Sequence, residues 1–202
     1  EETGNQRADG REKWLAAKRH NELEDEDPRL PTFNGLARSR HIAAMNTAVL
    51  GAGAWGTALA KLLRESGHDV RLWGHDPAHL AEVRASGCNE RYLPGVPLPA
   101  GIHCVDTLPE AVRGAGEIVV AVPSRAFREV AGAMSEFRGH AISVTKGIEH
   151  NTGLTMCGVL RACAPRARIA VLSGPSLALE VARGIPTAMV AASEDPAAAR
   201  LV

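Results

Sequence analysis

The feature that most constrains the fold is a glycine-rich turn between an apolar strand and an amphipathic helix. Residues 51–56 read Gly-Ala-Gly-Ala-Trp-Gly and match the pattern G-x-G-x-x-G. A short apolar run over Thr47–Leu50 predicts a strand before the turn, and leucines at helical spacing predict a helix over Trp55–Glu65 directly after it. The pattern carries weight in this setting because both flanking elements are where a phosphate-binding turn requires them.

Each position of the turn has a physical reason. Gly51 permits the tight strand-to-helix turn, Gly53 lacks a Cβ so that a pyrophosphate can approach the backbone, and Gly56 lets the helix pack close to the sheet. The first backbone amides of the helix, at Ala54 and Trp55, point at the anion, and the helix dipole adds to the attraction. These five residues are the predicted dinucleotide-binding turn.

Strands and helices alternate along the rest of the chain. Further strands are predicted over 69–73, 117–122, 141–145, 169–172 and 187–192, with helices over 78–85, 107–112, 126–135, 154–162 and 176–182. Most of these strands are near-continuous apolar runs rather than alternating ones, which indicates a sheet covered on both faces. The sequence therefore predicts an α/β domain with a doubly wound, mostly parallel sheet of the Rossmann type.

The first part of the chain has a different composition. Residues 1–44 contain 9 acidic and 8 basic residues, a charge density about twice that of the remainder. Such a segment buries too little apolar surface to offset the entropy lost on ordering, so we expect a disordered extension. Because Met45 stands directly before the first strand, we interpret it as the natural start and residues 1–44 as not native. The dinucleotide-binding domain is expected over 45–202.

Composition excludes several classes of function. Lys plus Arg and Asp plus Glu number 23 each, so the chain lacks the basic excess of a nucleic-acid-binding domain. Residues 42–60 are uncharged, but three glycines and several polar residues make a membrane span the poorer interpretation. The four cysteines form no C-x-x-C pair and no histidine lies at zinc-ligand spacing. We therefore predict no metal site and the reduced thiols of a cytosolic protein.

The second strand bears on the choice of cofactor. An acidic residue about 20 positions after the glycines binds the ribose of NAD, but the strand end here reads Gly74-His75-Asp76. His75, with Arg71 nearby, can accept the 2′-phosphate of NADP when its ring is protonated. Asp76 can instead take the ribose hydroxyl. We expect NADP to be tolerated, and NAD stays open.

A lysine follows one of the later strands. Ligands of doubly wound sheets bind at the carboxyl ends of the strands, and Lys146 directly follows the strand 141–145. It can bind a phosphate or carbonyl oxygen or transfer a proton. A helix predicted to begin near Ser176 offers a second set of free amides for a substrate anion.

Six stretches recur in one known family in the same order. They run through residues 45–192 and read AVLGAGAWGTALA, GHDVRLWGHDP, NERYLPGVPLP, VVAVPS, SVTKGIE and SGPSLALEVARGIPTA. On these stretches the chain resembles the bacterial NAD(P)-dependent glycerol-3-phosphate dehydrogenases. The resemblance implies reversible reduction of dihydroxyacetone phosphate to glycerol 3-phosphate by hydride transfer from the nicotinamide. It also implies a cytoplasmic enzyme that feeds phospholipid synthesis and is a homodimer at full length.

The resemblance also assigns residues to the site. It implies that the cofactor is contacted by Ala54, Trp55, His75, Phe127, Lys146 and Ala178, and that the substrate is held by Lys146, Gly174 and Ser176. The family often has a serine where Ala54 stands, so one hydroxyl contact is lost here.

The family has a second, helical domain, which carries the proton-transferring lysine and an Arg-Asn pair for the substrate phosphate. Since the sequence stops at Val202, we expect the cofactor domain of a truncated enzyme, which binds dinucleotide weakly and has no useful turnover. Two alternatives stay open. One is a hydroxyacid or ketopantoate-type reductase on the same scaffold, and the other is a non-catalytic dinucleotide-sensing module.

Overall fold

The computed structural model describes residues 44–202, so the expectations for residues 1–43 lie outside the described part of the chain. Within the described part, strands and helices alternate. The strands are β1 (Asn46–Leu50), β2 (Asp69–Trp73), β3 (Ile102–Val105), β4 (Glu117–Val120), β5 (His140–Ser143), β6 (Arg168–Ser173) and β7 (Val190–Ala192). The helices are α1 (Ala54–Glu65), α2 (Pro77–Ser86), α3 (Leu108–Val112), α4 (Ser124–Gly132), α5 (Met156–Cys163), α6 (Ala178–Ala182) and α7 (Pro196–Leu201).

The strands form one sheet in the order β3-β2-β1-β4-β5-β6-β7. Every pair is parallel except β6 with β7, which run antiparallel. Strand β1 lies between β2 and β4, so the chain builds outward from β1 in one direction and then in the other. This confirms the predicted doubly wound sheet, and the reversal opens a crevice at the carboxyl ends of the strands.

The core lies on both faces of the sheet. Successive residues of β1 point to opposite sides: Leu50 packs in a cluster with Ile118 and Phe127, whereas Val49 packs in another with Leu72 and Val119. Five of these six core positions are inaccessible to solvent, and the sixth, Val119, is 4% exposed. The continuous apolar strands of the sequence are therefore explained by burial on both faces.

Most elements differ from the predicted bounds by one to three residues, and β3, β7 and α6 differ in ways that affect the topology or the site. Strand β3 was not predicted, because only Val105 of its four residues is buried and its apolar signal is weak. The last strand is shorter than 187–192 and antiparallel. Helix α6 begins at Ala178 rather than near Ser176. Its free backbone N–H groups therefore lie two residues beyond the position predicted for a second anion site. No helix within residues 44–202 is long and apolar enough to cross a membrane.

Candidate functional site

A cleft of about 630 Å³ lies at the carboxyl ends of β1, β2, β4, β5 and β6. The crevice predicted by the strand order is therefore present, at the point where the sheet reverses its direction of growth. The cleft is lined by nine of the predicted site residues: Gly51, Gly53, Ala54, Trp55, His75, Lys146, Gly174, Ser176 and Ala178.

Two glycines of the turn, Gly51 and Gly56, are required for folding, because a Cβ at either position would clash with the backbone. Gly51 has φ of 126°, and a Cβ there would lie 2.5 Å from the carbonyl oxygen of Ala121 at the end of β4. A Cβ on Gly56 would overlap the carbonyl oxygen of Gly51 and lie 3.3 Å from the Cβ of Ala121. Gly56 does not line the cleft. Its missing side chain allows α1 to pack closely against the sheet.

The middle glycine is different. A Cβ on Gly53 would meet no atom within 4 Å, and its φ of −77° suits any residue. Helix α1 starts directly after it with no side-chain cap and no acidic residue in its first turn. The first amides of a helix have no partner inside the helix, so this end offers bare N–H groups over open space. The cradle fits a diphosphate, which would occupy the space that the missing side chain leaves.

A buried asparagine holds the turn from the side. Asn89 Nδ2 donates to the carbonyl of Ala52 at 3.0 Å and to Thr57 Oγ1 at 2.7 Å. Its Oδ1 accepts from the backbone N–H of Tyr92 at 3.2 Å and lies 2.9 Å from His79 Nε2. Sequence reasoning missed this network, because a single asparagine in a loop rich in proline and glycine has no pattern that predicts burial. The network fixes the loop after α2 against the glycine turn.

The corner at the end of β2 holds the residues that bear on ribose recognition. A Cβ on Gly74 would lie 2.9 Å from the Cβ of Ala52, so no acidic side chain fits at the usual strand-end position. His75 is exposed and lines the cleft. Asp76 caps α2, and the backbone N–H of His79, together with Arg91, holds the pKa of this carboxyl below its ordinary value.

The prediction that Arg71 helps His75 to bind a 2′-phosphate is wrong. Arg71 Nη1 donates to the carbonyls of Glu110 and Ala111 at 3.0 and 3.2 Å, and also to the carbonyl of Arg113. These carbonyls lie at the carboxyl-terminal end of α3, where a cation satisfies the free acceptors of the last turn. Arg71 is therefore occupied elsewhere and does not line the cleft beside His75.

Lys146 lies at the cleft as predicted. Its side chain is exposed and its Nζ donates to the carbonyl of Gly174 at 3.2 Å, which joins the ends of β5 and β6. Thr145 Oγ1 donates to the carbonyl of Val122 at 2.7 Å and joins the ends of β5 and β4. No ion pair within residues 44–202 includes Lys146, so its charge is available to an anion in the cleft.

The loop that follows Lys146 is tied to α4. Arg128 Nε and Nη2 donate to the two carboxylate oxygens of Glu149 at 2.7 and 2.6 Å, and Thr152 donates a further hydrogen bond to Glu149. The bonds from Arg128 and Thr152 lower the pKa of Glu149 to about 2. Bidentate pairs of this kind fix geometry as well as charge, so the clamp sets the path of the chain just after the lysine.

Three of the remaining predicted residues line the cleft and one does not. A Cβ on Gly174 would lie 2.9 Å from the carbonyl oxygen of Ala188, so a glycine is needed here. Ser176 precedes α6 and lines the cleft, as does Ala178 in its first turn. Phe127 does not: its ring is completely buried in the core with Val130, because it lies on the face of α4 that packs on the sheet. Its expected place beside the nicotinamide is wrong.

Comparison with known proteins identifies the family to which this chain belongs. Residues 46–199 match the sequence model of the family described as NAD-dependent glycerol-3-phosphate dehydrogenase N-terminus. The chain belongs to this family. The predicted resemblance is confirmed, and the alternative of a ketopantoate-type reductase is set aside.

Individual glycerol-3-phosphate dehydrogenases agree with this assignment. The chain is 48% identical to that of Pseudomonas entomophila over 157 residues, which make up 77% of this chain and 46% of the relative. It is 45% identical to that of Thioalkalivibrio sulfidiphilus over 159 residues, covering 77% and 48%. Both relatives are named glycerol-3-phosphate dehydrogenase (NAD(P)+). The crystal structure of the Coxiella burnetii glycerol-3-phosphate dehydrogenase superposes with a TM-score of 0.73 at 37% identity, covering 78% of this chain and 49% of that one. The chain thus spans about half the length of the curated relatives it matches.

Proposed function

We propose that this chain is the dinucleotide-binding half of an oxidoreductase that interconverts dihydroxyacetone phosphate and sn-glycerol 3-phosphate with NAD(H) or NADP(H). The observation that carries the proposal is the uncapped start of α1 behind the open position at Gly53, at the reversal point of the sheet. The reaction itself is inferred from membership of the family whose model matches residues 46–199.

Each side of the cleft has its part in this function. The amides of Ala54 and Trp55 hold the diphosphate, and Ala178 lines the opposite wall. When bound, the nicotinamide supplies or accepts the hydride. Lys146, as a fixed positive charge at the end of β5, holds a phosphate or carbonyl oxygen of the substrate, with Ser176 as a further hydrogen-bonding group.

Several properties of the whole enzyme belong to the same proposal. They are a cytoplasmic location, a homodimeric full-length enzyme and a supply of glycerol 3-phosphate to phospholipid synthesis, all supported by family membership. We also propose that the domain over 45–202 is the cofactor domain. The chain spans about half the length of its relatives, and dinucleotide binding is the part of the function that its described cleft supports.

Gly53→Val tests the observation directly. Since a Cβ at this position meets no protein atom, the variant is expected to fold normally while its side chain occupies the place of the diphosphate. Charge-assisted hydrogen bonds are worth about 1.5–3 kcal/mol each, so we expect the Kd for NADH and NADPH to rise by about tenfold or more. Quenching of Trp55 and Trp73, which both line the cleft, measures the Kd.

Gly132→Val is the matched control. Gly132 also has open space around its Cβ position, but it ends α4 and does not line the cleft. This variant should bind as the parent does, and thermal melting should show both variants folded. Unchanged dinucleotide binding by a folded Gly53→Val protein, or no binding by the parent, would contradict the proposal.

A further inference from the structure

The buried side chain of Asn89 makes one hydrogen bond to the backbone of the glycine turn. Its Nδ2 donates to the carbonyl of Ala52, the residue between the first two glycines, at 3.0 Å. Asn89 is completely inaccessible to solvent and does not line the cleft. Its influence on a bound ligand is therefore indirect and passes through the backbone that it holds.

The hydrogen-bonding capacity of the Asn89 side chain is used in full. The two hydrogens of Nδ2 go to the carbonyl of Ala52 and to Thr57 Oγ1, while Oδ1 faces the backbone N–H of Tyr92 and the Nε2 of His79. A carbonyl can only accept and a backbone N–H can only donate, so the amide of Asn89 has a single possible orientation. It follows that Nε2 of His79 carries a proton and donates to Oδ1. Four contacts thus prevent Asn89 from turning away from the glycine turn.

The bond to Ala52 determines the direction of the next backbone amide. The carbonyl of Ala52 and the N–H of Gly53 belong to one planar trans peptide, so they point in opposite directions. With the carbonyl held towards Asn89, the N–H of Gly53 faces away from it, on the side where Gly53 borders the cleft. This N–H has no partner within residues 44–202, whereas that of Gly51 donates to the carbonyl of Trp73 at 2.7 Å.

Holding this peptide in place matters because a glycine follows it. Glycine leaves the adjoining peptide free to rotate, and open space surrounds the Cβ position of Gly53. Asn89 removes this freedom before a ligand arrives, so less entropy is lost on binding. We infer that Asn89 is a positioning residue for the diphosphate of the dinucleotide, because it directs the N–H of Gly53 into the cleft. The inference rests on the proposed function, since it requires a dinucleotide on the glycine turn.

Asn89→Ala tests this role in the 202-residue protein. The variant leaves the carbonyl of Ala52 without its donor, so we expect the Kd for NADH, read from quenching of the tryptophans of the cleft, to rise about tenfold. The amide nitrogen resonance of Gly53 should also shift in the free variant, because it responds to a hydrogen bond on the preceding carbonyl. Thermal melting shows whether the variant is folded.

Thr57→Ala is the matched control. It removes the 2.7 Å bond from the same Nδ2, and Thr57 is as completely buried as Asn89, so the melting temperature should fall in this variant too. The bond from Asn89 to Ala52 remains. The Kd for NADH should therefore stay within about twofold of the parent value, and the Gly53 resonance should not move.

The outcomes separate positioning from general stabilisation. A Kd for NADH that rises equally in both variants, or that stays at the parent value in a folded Asn89→Ala protein, would overturn the inference and leave dinucleotide binding intact. If Asn89→Ala does not fold, the parent decides. On addition of NADH, the amide proton of Gly53 should move downfield while the side-chain amide protons of Asn89 keep their resonances. An unresponsive Gly53 proton, or Asn89 protons that move with it, would also overturn the inference. If the parent binds no NADH, the proposed function itself fails.

Discussion

At the residue scale, the glycines of the turn serve different purposes. Gly51 is needed for folding, because its φ is 126° and a Cβ would press against a backbone carbonyl. Gly53 is surrounded by open space and has ordinary backbone angles. The pattern G-x-G-x-x-G predicts this division of roles, and the geometry around the two positions agrees with it.

Substitution of the first glycine should therefore affect stability. We expect Gly51→Ala to lower the free energy of unfolding by about 2–4 kcal/mol, from a strained φ and a steric clash. Gly53→Ala should lower it by only about 0.5–1 kcal/mol, because no clash arises and alanine is merely a poorer helix N-cap than glycine. Urea unfolding of both variants measures the difference. Equal effects at the two positions would show that the turn does not bear the strain that its geometry indicates.

Single residues also show where sequence reasoning ends. Lys146 was predictable, since the residues just beyond a parallel strand lie at the carboxyl edge of the sheet; β5 ends at Ser143, two residues before the predicted end. Arg71 is close to His75 in sequence but bonds to the end of α3, whereas Arg91 is 15 residues from Asp76 and touches it. Contacts between elements depend on packing, which spacing along the chain does not determine.

At the scale of elements, the clamp between α4 and the loop after β5 gives a pH-dependent prediction. The folded pKa of Glu149, about 2, lies below its ordinary value of 4.5, so the pair with Arg128 stabilises the fold at neutral pH. This contribution is complete above about pH 5 and is lost as the pH falls from there towards 2. Arg128→Gln should therefore be less stable than the parent at pH 7, and the difference should shrink on acidification.

Urea unfolding of the two proteins between pH 7 and pH 3 measures this trend. Arg161→Gln, which removes an exposed partner of Glu194, reports the ordinary effect of losing one surface arginine at each pH. A difference between Arg128→Gln and the parent that stays constant down to pH 3 would argue against the clamp.

The elements differ in how far the sequence revealed them. The buried strands β1, β4 and β5 were predicted within two residues at each end, because burial on both faces makes most of their residues apolar. Strand β3 was missed, since an edge strand with one neighbour needs few apolar residues. The direction of β7 depends on its pairing with β6, which no local pattern records.

At the scale of the whole molecule, ligand binding and stability are linked. A dinucleotide that binds only the folded state adds about 2.7 kcal/mol at a concentration 100 times its Kd. For a domain of this size that corresponds to a rise in Tm of roughly 5–10 °C. We expect NADH to produce this rise in the 202-residue protein, measured by thermal melting. AMP lacks the diphosphate bridge, so at the same concentration it should produce a much smaller rise. An equal rise with AMP would place the binding energy away from the glycine turn.

The open position in front of α1 has a genetic consequence. Glycine and valine codons differ by one base, so a single point mutation at residue 53 would leave a protein of normal abundance and protease resistance that binds its dinucleotide more weakly. Surveys that score variants by expression level or solubility would record such an allele as harmless.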